Sequence, residues 1–306
     1  MNLKQKLIVI VGPTTSGKSD LAITLAKALG GEVVSADSRQ VYKGLNIGTG
    51  KVTKKEMAGI PHHLLDVASP KRVYTASDYV KAARKAIADI HARGKVAILC
   101  GGTGFYIDTL LGRMNIPEVP PNPTLRKKLD RKTVSQLYAQ LLKKDPARAK
   151  TIDRHNPVRL IRALEIVEKL GKVPLPPMAD LRSRPFETVI IGIRFPQALL
   201  QRRIHTRLLA RMKKGMLREA KRLHNPPAGG GLSWKRMEEL GLEYRYMARH
   251  LQGKITKQEM VEQLESEIVK YSKRQMTWFR RHEDVVWVEP SETGKAVLLS
   301  NKFLKK

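Results

Sequence analysis

Strand-like apolar runs alternate with amphipathic stretches over the first third of the chain. Runs at 7–11, 32–36 and 96–100 predict strands, and two more stand at 189–193 and 285–288. After the first run, Leu21, Leu25, Ala28 and Leu29 recur on one helical face. Over 77–91 the face is Tyr79, Val80, Ala83, Ile87 and Ile90. Just before it, Thr75-Ala76-Ser77-Asp78 reads as a capping box with Asp in place of Glu. Strands alternating with helices predict an α/β fold, a mostly parallel sheet flanked by helices on both faces.

The pattern changes after Gly112. A proline-rich hinge at 116–123 leads into helical segments at 124–130, 135–143 and 156–170, and Pro174, Pro176 and Pro177 close the section. Strand character returns only at Val189. Helices between two proline clusters, inside an interrupted α/β pattern, predict a helical insertion domain at 114–185 within a core formed by 1–113 and 186–306. Beyond the sheet the chain reads as mostly helical. Leu200, Ile204, Leu208, Met212 and Met216 recur every four residues as a core face. Arg203, Arg207, Arg211, Lys214 and Arg218 form a basic stripe beside it. Such a stripe suits a helix lying on phosphates, and equally any exposed basic helix. The segment 226–231 is a Pro/Gly loop, and a long last helix is expected over 256–282.

Composition narrows the class of partner. The 306 residues carry a formal net charge of +30, from 58 Lys+Arg against 28 Asp+Glu. An excess of this size points to a polyanion, above all nucleic acid, with a solvated basic surface as the plainer reading. No basic amphipathic anchor or lipidation motif favours a membrane. The single cysteine, Cys100, excludes an internal disulfide and a multi-cysteine metal site, and its place at the end of an apolar run suits buried packing. Lys4 and Lys6 before a short apolar run mimic a signal peptide, but the run lacks a small-residue cleavage site and flows into a loop motif. A cytoplasmic protein is expected.

That motif is Gly12-Pro13-Thr14-Thr15-Ser16-Gly17-Lys18-Ser19, which fits G-x-x-x-x-G-K-[ST] between the first strand and its helix. The glycines let backbone N–H groups turn inward on phosphate oxygens, and the helix adds its positive end. Lys18 would reach a terminal phosphate and the Ser19 hydroxyl would ligate Mg²⁺. Alone, the loop reads as P-loop NTPase-like nucleotide (ATP) binding. Asp37 ends the second strand run, where a parallel sheet meets its ligand, and could serve as a base or hold a metal-bound water. Gly101-Gly102-Thr103-Gly104-Phe105-Tyr106 follows the 96–100 strand and offers close backbone approach and the Thr103 hydroxyl. No acid ends that strand, which argues against a motor ATPase.

Together these residues resemble the tRNA dimethylallyltransferases, also called isopentenyl-tRNA transferases. The matching segments are 12–19, Asp37 to Gly44 with Ile47-Gly48-Thr49, Pro61 to Asp66, 101–106, Asn156 to Glu165 and Lys273 to Arg280. They run in family order over nearly the whole chain. The resemblance implies transfer of the five-carbon group of dimethylallyl diphosphate to N6 of the adenosine immediately 3′ of the anticodon, in tRNAs reading codons that begin with U. It makes the P-loop residues Gly12, Pro13, Thr14, Thr15, Ser16, Gly17, Lys18 and Ser19, with Arg203 and Arg207, the seat of a diphosphate leaving group. Asp37 is the implied base, Thr103 and Lys18 assist at the reaction centre, and Mg²⁺ sits near Ser19. The target base would flip into a channel between the sheet and the insertion. Asp37, Ser38, Arg39, Gln40 and Thr103 would meet it there. Arg126, Arg159, Arg162, Tyr244, Arg245, Lys273, Arg274 and Gln275 match further tRNA-contacting positions, and Trp278 belongs to the late signature. One residue departs from the resemblance: Glu243 stands where Gly precedes Tyr244. The expected partners are a tRNA anticodon stem-loop and dimethylallyl diphosphate, with no membrane and a monomeric chain. A small-molecule P-loop kinase, an isopentenyltransferase of free adenine nucleotides and a non-enzymatic RNA-binding protein are the competing readings. The +30 charge argues against the first two, and intact Lys18, Ser19 and Asp37 against the last.

Overall fold

A computed structural model describes residues 4–114, 116–174, 184–227 and 229–305. Pro176, Pro177 and Ala228 lie outside the described residues. The chain divides into two compact units, one formed by residues 1–111 and 184–306, the other by 112–183. In the first unit six parallel strands form one sheet in the order β3-β2-β4-β1-β5-β6. They are β1 (Gln5–Val11), β2 (Gly31–Ala36), β3 (His62–His63), β4 (Val96–Gly101), β5 (Phe186–Ile193) and β6 (Val285–Val288). Its helices are α1 (Lys18–Leu29), α2 (Lys54–Met57), α3 (Ala76–Ala92) and α4 (Gly104–Leu110). The second unit holds α5 (Pro123–Leu129), α6 (Val134–Lys144), α7 (Pro146–Thr151) and α8 (Pro157–Leu170). The first unit resumes with α9 (Gln197–Lys213), α10 (Met216–His224), α11 (Trp234–Leu240), α12 (Leu242–Leu251), α13 (Lys257–Arg280) and α14 (Thr293–Lys305). The mostly parallel, helix-flanked sheet expected from the hydrophobic pattern is the observed one.

Strand register explains why the apolar runs are continuous. Val34, Leu99, Val9, Ile190 and Val285 align across five strands on one sheet face, and α3 covers them with Tyr79, Ala83, Ile87 and Ile90. Their neighbours Val33, Ile98 and Ile8 align on the other face under Leu21, Leu25 and Ala26 of α1 and Phe303 of α14. Residues alternate between faces, and both faces are roofed, so each position from Leu7 to Val11 is buried. Each such side chain contributes about 1.5–3 kcal/mol by leaving water. The Thr75/Asp78 capping box starts α3 as its sequence indicated. A third apolar cluster joins Leu200, Ile204 and Leu208 of α9 to Met260, Leu264 and Ile268 of α13, around Val41, Tyr42 and Leu45 of the chain after β2.

Three local features differ from the sequence reading. The apolar and basic stripes from 200 to 218 do not run on one helix. The chain breaks at Gly215, whose φ of 98° suits glycine alone, so Met216 and Arg218 belong to α10. Strand β3 is two residues long, too short to leave a hydrophobic run. Helix α7 also escaped the pattern, although its Asp145-Pro146 start repeats Asn122-Pro123 of α5 and Asn156-Pro157 of α8. In all three the cap side chain accepts a backbone N–H and Pro takes the first turn. Among the described residues, no helix is long and apolar enough to cross a membrane.

Candidate active site

Loop 12–17 leaves β1 at the carboxyl edge of the sheet. Gly12 has a φ of 148°, and a Cβ there would lie 3.1 Å from the Ile193 carbonyl of β5, so a side chain would press the loop off the strand. Thr15 at φ 63° and Gly17 at φ 93° continue the left-handed path that wraps the loop, and Gly17 caps α1 with no side chain. The first N–H groups of α1 therefore face the loop without a capping oxygen, the arrangement that receives anions. Ser16 is fully buried and its Oγ has no hydrogen-bond partner among the described residues. A cavity of about 140 Å³ opens beside it, lined by Ser16, Gly17, Asp20, Ile193 and Arg203. The Lys18 ammonium folds back to donate to the Pro13 carbonyl at 2.5 Å. Burial lowers its pKa to about 8, the Cys100 thiol and Asp37 pull it back up, and Arg207 lowers it further. Cys100 is free and buried, and its thiol, pushed up to about 12 by burial, faces the Lys18 carbonyl.

The ends of β2 and β4 meet beside this loop. Thr103 donates its N–H to the Ala36 carbonyl at 3.1 Å, and its Oγ1 accepts the Ser38 N–H at 3.0 Å. Asp37, between them in sequence, accepts the Arg39 and Gln40 N–H groups on Oδ1 at 2.8 and 3.2 Å. This turn fixes the carboxylate at the strand end. Tyr271 of α13 also reaches this place: burial, then Asp37, holds its phenol protonated well above the ordinary tyrosine range, and Thr103 works the other way. The sequence offered no signal for Tyr271, because its contacts lie far along the chain.

Helix α13 braces both loops. Gln275 is 5% exposed. Its Oε1 accepts the Thr14 N–H at 2.8 Å and its Nε2 donates to the Gly102 carbonyl at 2.9 Å. A Cβ on Gly102 would overlap that amide, and one on Gly104 would overlap the Trp278 indole. Trp278 donates to Asp108 at 2.8 Å, and the same buried carboxylate oxygen meets His282 at 3.0 Å and Arg281 at 3.3 Å. Lys273 and Arg274, on the same helix, are exposed.

The arginines of α9 approach from the side of β5. Arg203 lines the cavity beside Ser16 and stacks its guanidinium 5.0 Å from the Phe195 ring centre. Arg207 donates to the Gly50 carbonyl at 3.0 Å, and burial, then Arg211, lowers its pKa, while Asp37 works the other way. The loop it touches is held by Glu219, which accepts the N–H groups of Asn46, Ile47 and Gly48 at 3.0, 2.7 and 2.9 Å. Tyr244 is 1% exposed and donates its hydroxyl to Glu219 at 2.7 Å. The structure thus puts Tyr244 and Gln275 inside the protein. Arg245 pairs with Glu238 at 3.4 Å.

Within the helical unit, Arg126 makes a two-point contact with the buried Glu165, both distances 2.7 Å, and Arg162 donates to the same carboxylate at 3.3 Å and to the Val119 carbonyl at 2.8 Å. Arg159 is exposed, 3.9 Å from Asp153. The Arg126 and Arg162 guanidiniums are thereby tethered, one on α5 and the other on α8.

A glycine-rich loop between the first strand and first helix of a parallel sheet, with Asp37 at the end of β2 on the far side of β4, is the arrangement of a P-loop-like α/β protein. The chain belongs to the tRNA dimethylallyltransferase family: the model described as IPP transferase matches residues 40–282. A tRNA dimethylallyltransferase 2 of Treponema denticola is 43% identical over 284 residues, covering 92% of this chain and 93% of that protein. The tRNA dimethylallyltransferase of Shouchella clausii is 38% identical over 309 residues, covering 98% and 97%. The crystal structure of a full-length tRNA isopentenylpyrophosphate transferase from Bacillus halodurans superposes with a TM-score of 0.72 at 33% identity, over 99% of this chain and 97% of that one. A eukaryotic dimethylallyltransferase acting on tRNA gives 0.83 at 27% identity, over 98% and 80%.

Gln275→Leu keeps the bulk of the side chain and removes both of its hydrogen bonds. The expected cost is about 1–3 kcal/mol in urea unfolding, with faster amide exchange at Thr14. Unchanged exchange at Thr14 would show that the P-loop holds its shape without the amide.

Proposed function

We propose that this enzyme transfers the dimethylallyl group of dimethylallyl diphosphate to N6 of the adenosine immediately 3′ of the anticodon, in tRNAs whose codons begin with U. Dimethylallyl transfer to tRNA follows from the family to which the chain belongs. The observation that carries the finer reading is the meeting of loop 12–19, Asp37 and Thr103 at one sheet edge, with no acid ending β4. A phosphate-binding loop beside the Asp37 carboxylate suits departure of a diphosphate and removal of one proton.

In the reaction the N6 lone pair forms a bond to the allylic carbon, and the carbon–oxygen bond to diphosphate breaks. The diphosphate leaves with that electron pair. Its growing charge meets the N–H groups of the loop, Arg203 and Arg207, and Lys18 once its ammonium turns from the Pro13 carbonyl. Asp37 accepts the proton lost from nitrogen. Its Oδ1 is held by two backbone N–H groups, so the carboxylate is aimed without rearrangement. Thr103, anchored on Ser38, and Tyr271 beside it order the same spot. The exposed Ser19 hydroxyl and half-buried Asp37 are oxygen donors of the kind Mg²⁺ accepts together with phosphate oxygens. Among the described residues there is no group of three or more acidic, His or Cys side chains that could hold a metal unaided. Bound there, Mg²⁺ would supply positive charge to the diphosphate oxygens.

For the RNA, Ser38, Arg39, Gln40 and Thr103 serve the flipped base, and Lys273, Arg274 and Arg245 serve its flanks. Arg126, Arg159 and Arg162 serve the RNA from the helical unit. Tyr244 and Gln275 act from within, on the loops that carry the site. The +30 charge is the long-range attraction for the polyanion.

Carbon-labelled dimethylallyl diphosphate incubated with an unmodified anticodon stem-loop should place its label on N6 of the adenosine 3′ of the anticodon. Asp37→Asn should lower kcat about 10²–10⁴-fold, the range for losing a general base, with RNA affinity unchanged. Label appearing only on free AMP, or an Asp37→Asn enzyme as fast as the parent, would contradict this function.

The lowered pKa of Lys18 gives a pH signature. Below about 8 the ammonium is charged and ready for an anion, and as pH rises through that value it is lost. The kcat/KM for dimethylallyl diphosphate, which reports the free enzyme, should fall above that pH. Lys18→Arg, which stays charged, should remove this limb at a lower absolute rate. A parent profile that stays flat to pH 10 would exclude Lys18 as the charge-bearing group.

A further inference from the structure

Arg203, Arg207 and Arg211 stand at four-residue intervals on α9 and share one face. The first two have a task at the phosphate loop. Arg211 is more deeply buried than that task requires. Its side chain is 11% exposed, and its Nε is buried with no hydrogen-bond partner among the described residues. A guanidinium removed from water needs a carboxylate and further acceptors to offset the loss of hydration. Glu243 of α12, itself 12% exposed, supplies the carboxylate at 3.0 Å from Nη1. The same nitrogen donates to the Gly48 carbonyl at 2.6 Å.

Gly48 is thereby held at both ends, its carbonyl by Arg211 and its N–H by Glu219 at 2.9 Å. No side chain fits there, since a Cβ on Gly48 would lie 2.6 Å from the Tyr244 hydroxyl. Two residues on, the Gly50 carbonyl receives Arg207, and a Cβ on Gly50 would lie 2.5 Å from that guanidinium. Consecutive residues of α12, Glu243 and Tyr244, thus clamp the short loop that seats Arg207. Arg207 in turn acts electrostatically on Lys18 and is acted on by Asp37. Glu243, the position that departs from the family resemblance, faces inward onto Arg211.

We propose that the Arg211–Glu243 ion pair is a positioning device for Arg207, fixing the Gly48–Gly50 loop so that the Arg207 guanidinium is held for the donor's diphosphate. This rests on the reading that the P-loop takes that diphosphate. Both residues act through Arg207 and neither touches the donor, so their loss changes donor binding and leaves RNA binding alone. An ion pair that only packs α9 on α12 would change stability and add its effect to any Arg207 substitution.

The test uses the full chain with Glu243→Gln, Arg211→Met and the paired Arg211→Met/Glu243→Met, each also combined with Arg207→Met. The paired variant guards against misfolding, because replacing both charges with apolar side chains leaves none buried alone. Three quantities are read: the KM for dimethylallyl diphosphate, the KM for an anticodon stem-loop, and calorimetric binding of inorganic diphosphate with Mg²⁺. Losing one hydrogen bond to a charged group predicts that donor KM and diphosphate Kd rise about tenfold. The KM for RNA should stay within about twofold, a change worth under half a kcal/mol, kcat should fall as the Arg207 hold on the leaving diphosphate is lost, and Glu243→Gln should add nothing to Arg207→Met. Donor KM unchanged or lowered in all three variants, or effects that add fully to Arg207→Met, would overturn the positioning role. A parent enzyme that binds no inorganic diphosphate would overturn the reading of the P-loop, and this role with it.

Discussion

The Gln275 carboxamide joins two loops that lie far apart in sequence and must act as one surface. One end holds the Thr14 N–H of the P-loop, the other the carbonyl of Gly102 after β4. Glycine at 102 and 104 is required because the Gln275 amide and Trp278 occupy the space a side chain would take. Asp108 gathers the Trp278, Arg281 and His282 donors and so fastens the same helix to α4. With the β4 turn fixed, Thr103 anchors the end of β2 through Ala36 and Ser38, and Asp37 is set between them. A single helix thereby aligns the P-loop with Asp37, the proposed base.

The electrostatic design follows from this rigidity. Lys18, Arg203 and Arg207 converge on one sheet edge before any ligand is present, and burial has lowered the pKa of Lys18 and Arg207. In the proposed function the donor's diphosphate supplies their counter-charge. In the proposed reaction the charge that develops as the carbon–oxygen bond breaks would meet the two guanidiniums and the loop N–H groups, and Lys18 once it turns from the Pro13 carbonyl. Asp37 faces them from the end of β2, and in the proposed reaction it takes the proton that leaves the attacking nitrogen.

Much of this was legible in the sequence because it was local. The apolar runs at 7–11, 32–36, 96–100, 189–193 and 285–288 became five of the six strands, and the Thr75/Asp78 box began α3. The P-loop and the Asp37 and Thr103 positions were readable because motif and strand end coincide. What escaped depends on long-range pairing. Two-residue β3 leaves no period, and Gly215 splits a stripe whose four-residue spacing looked unbroken. The Asp108 cluster, the hold of Glu219 on residues 46–48 and the Arg211–Glu243 pair join residues that only the folded chain brings together. Nothing in the spacing of Gln275 or Tyr244 marked them as internal braces.

In the proposed reaction the P-loop holds a leaving group and moves no phosphoryl group. Following the phosphorus tests it most directly, with dimethylallyl diphosphate labelled in both phosphates and counted against adenosine modified in the anticodon stem-loop. The prediction is one intact inorganic diphosphate released for each dimethylallyl group attached, with no phosphate passing to RNA and no ATP consumed. Release of monophosphate in step with the reaction, or labelled phosphate on the RNA, would contradict it.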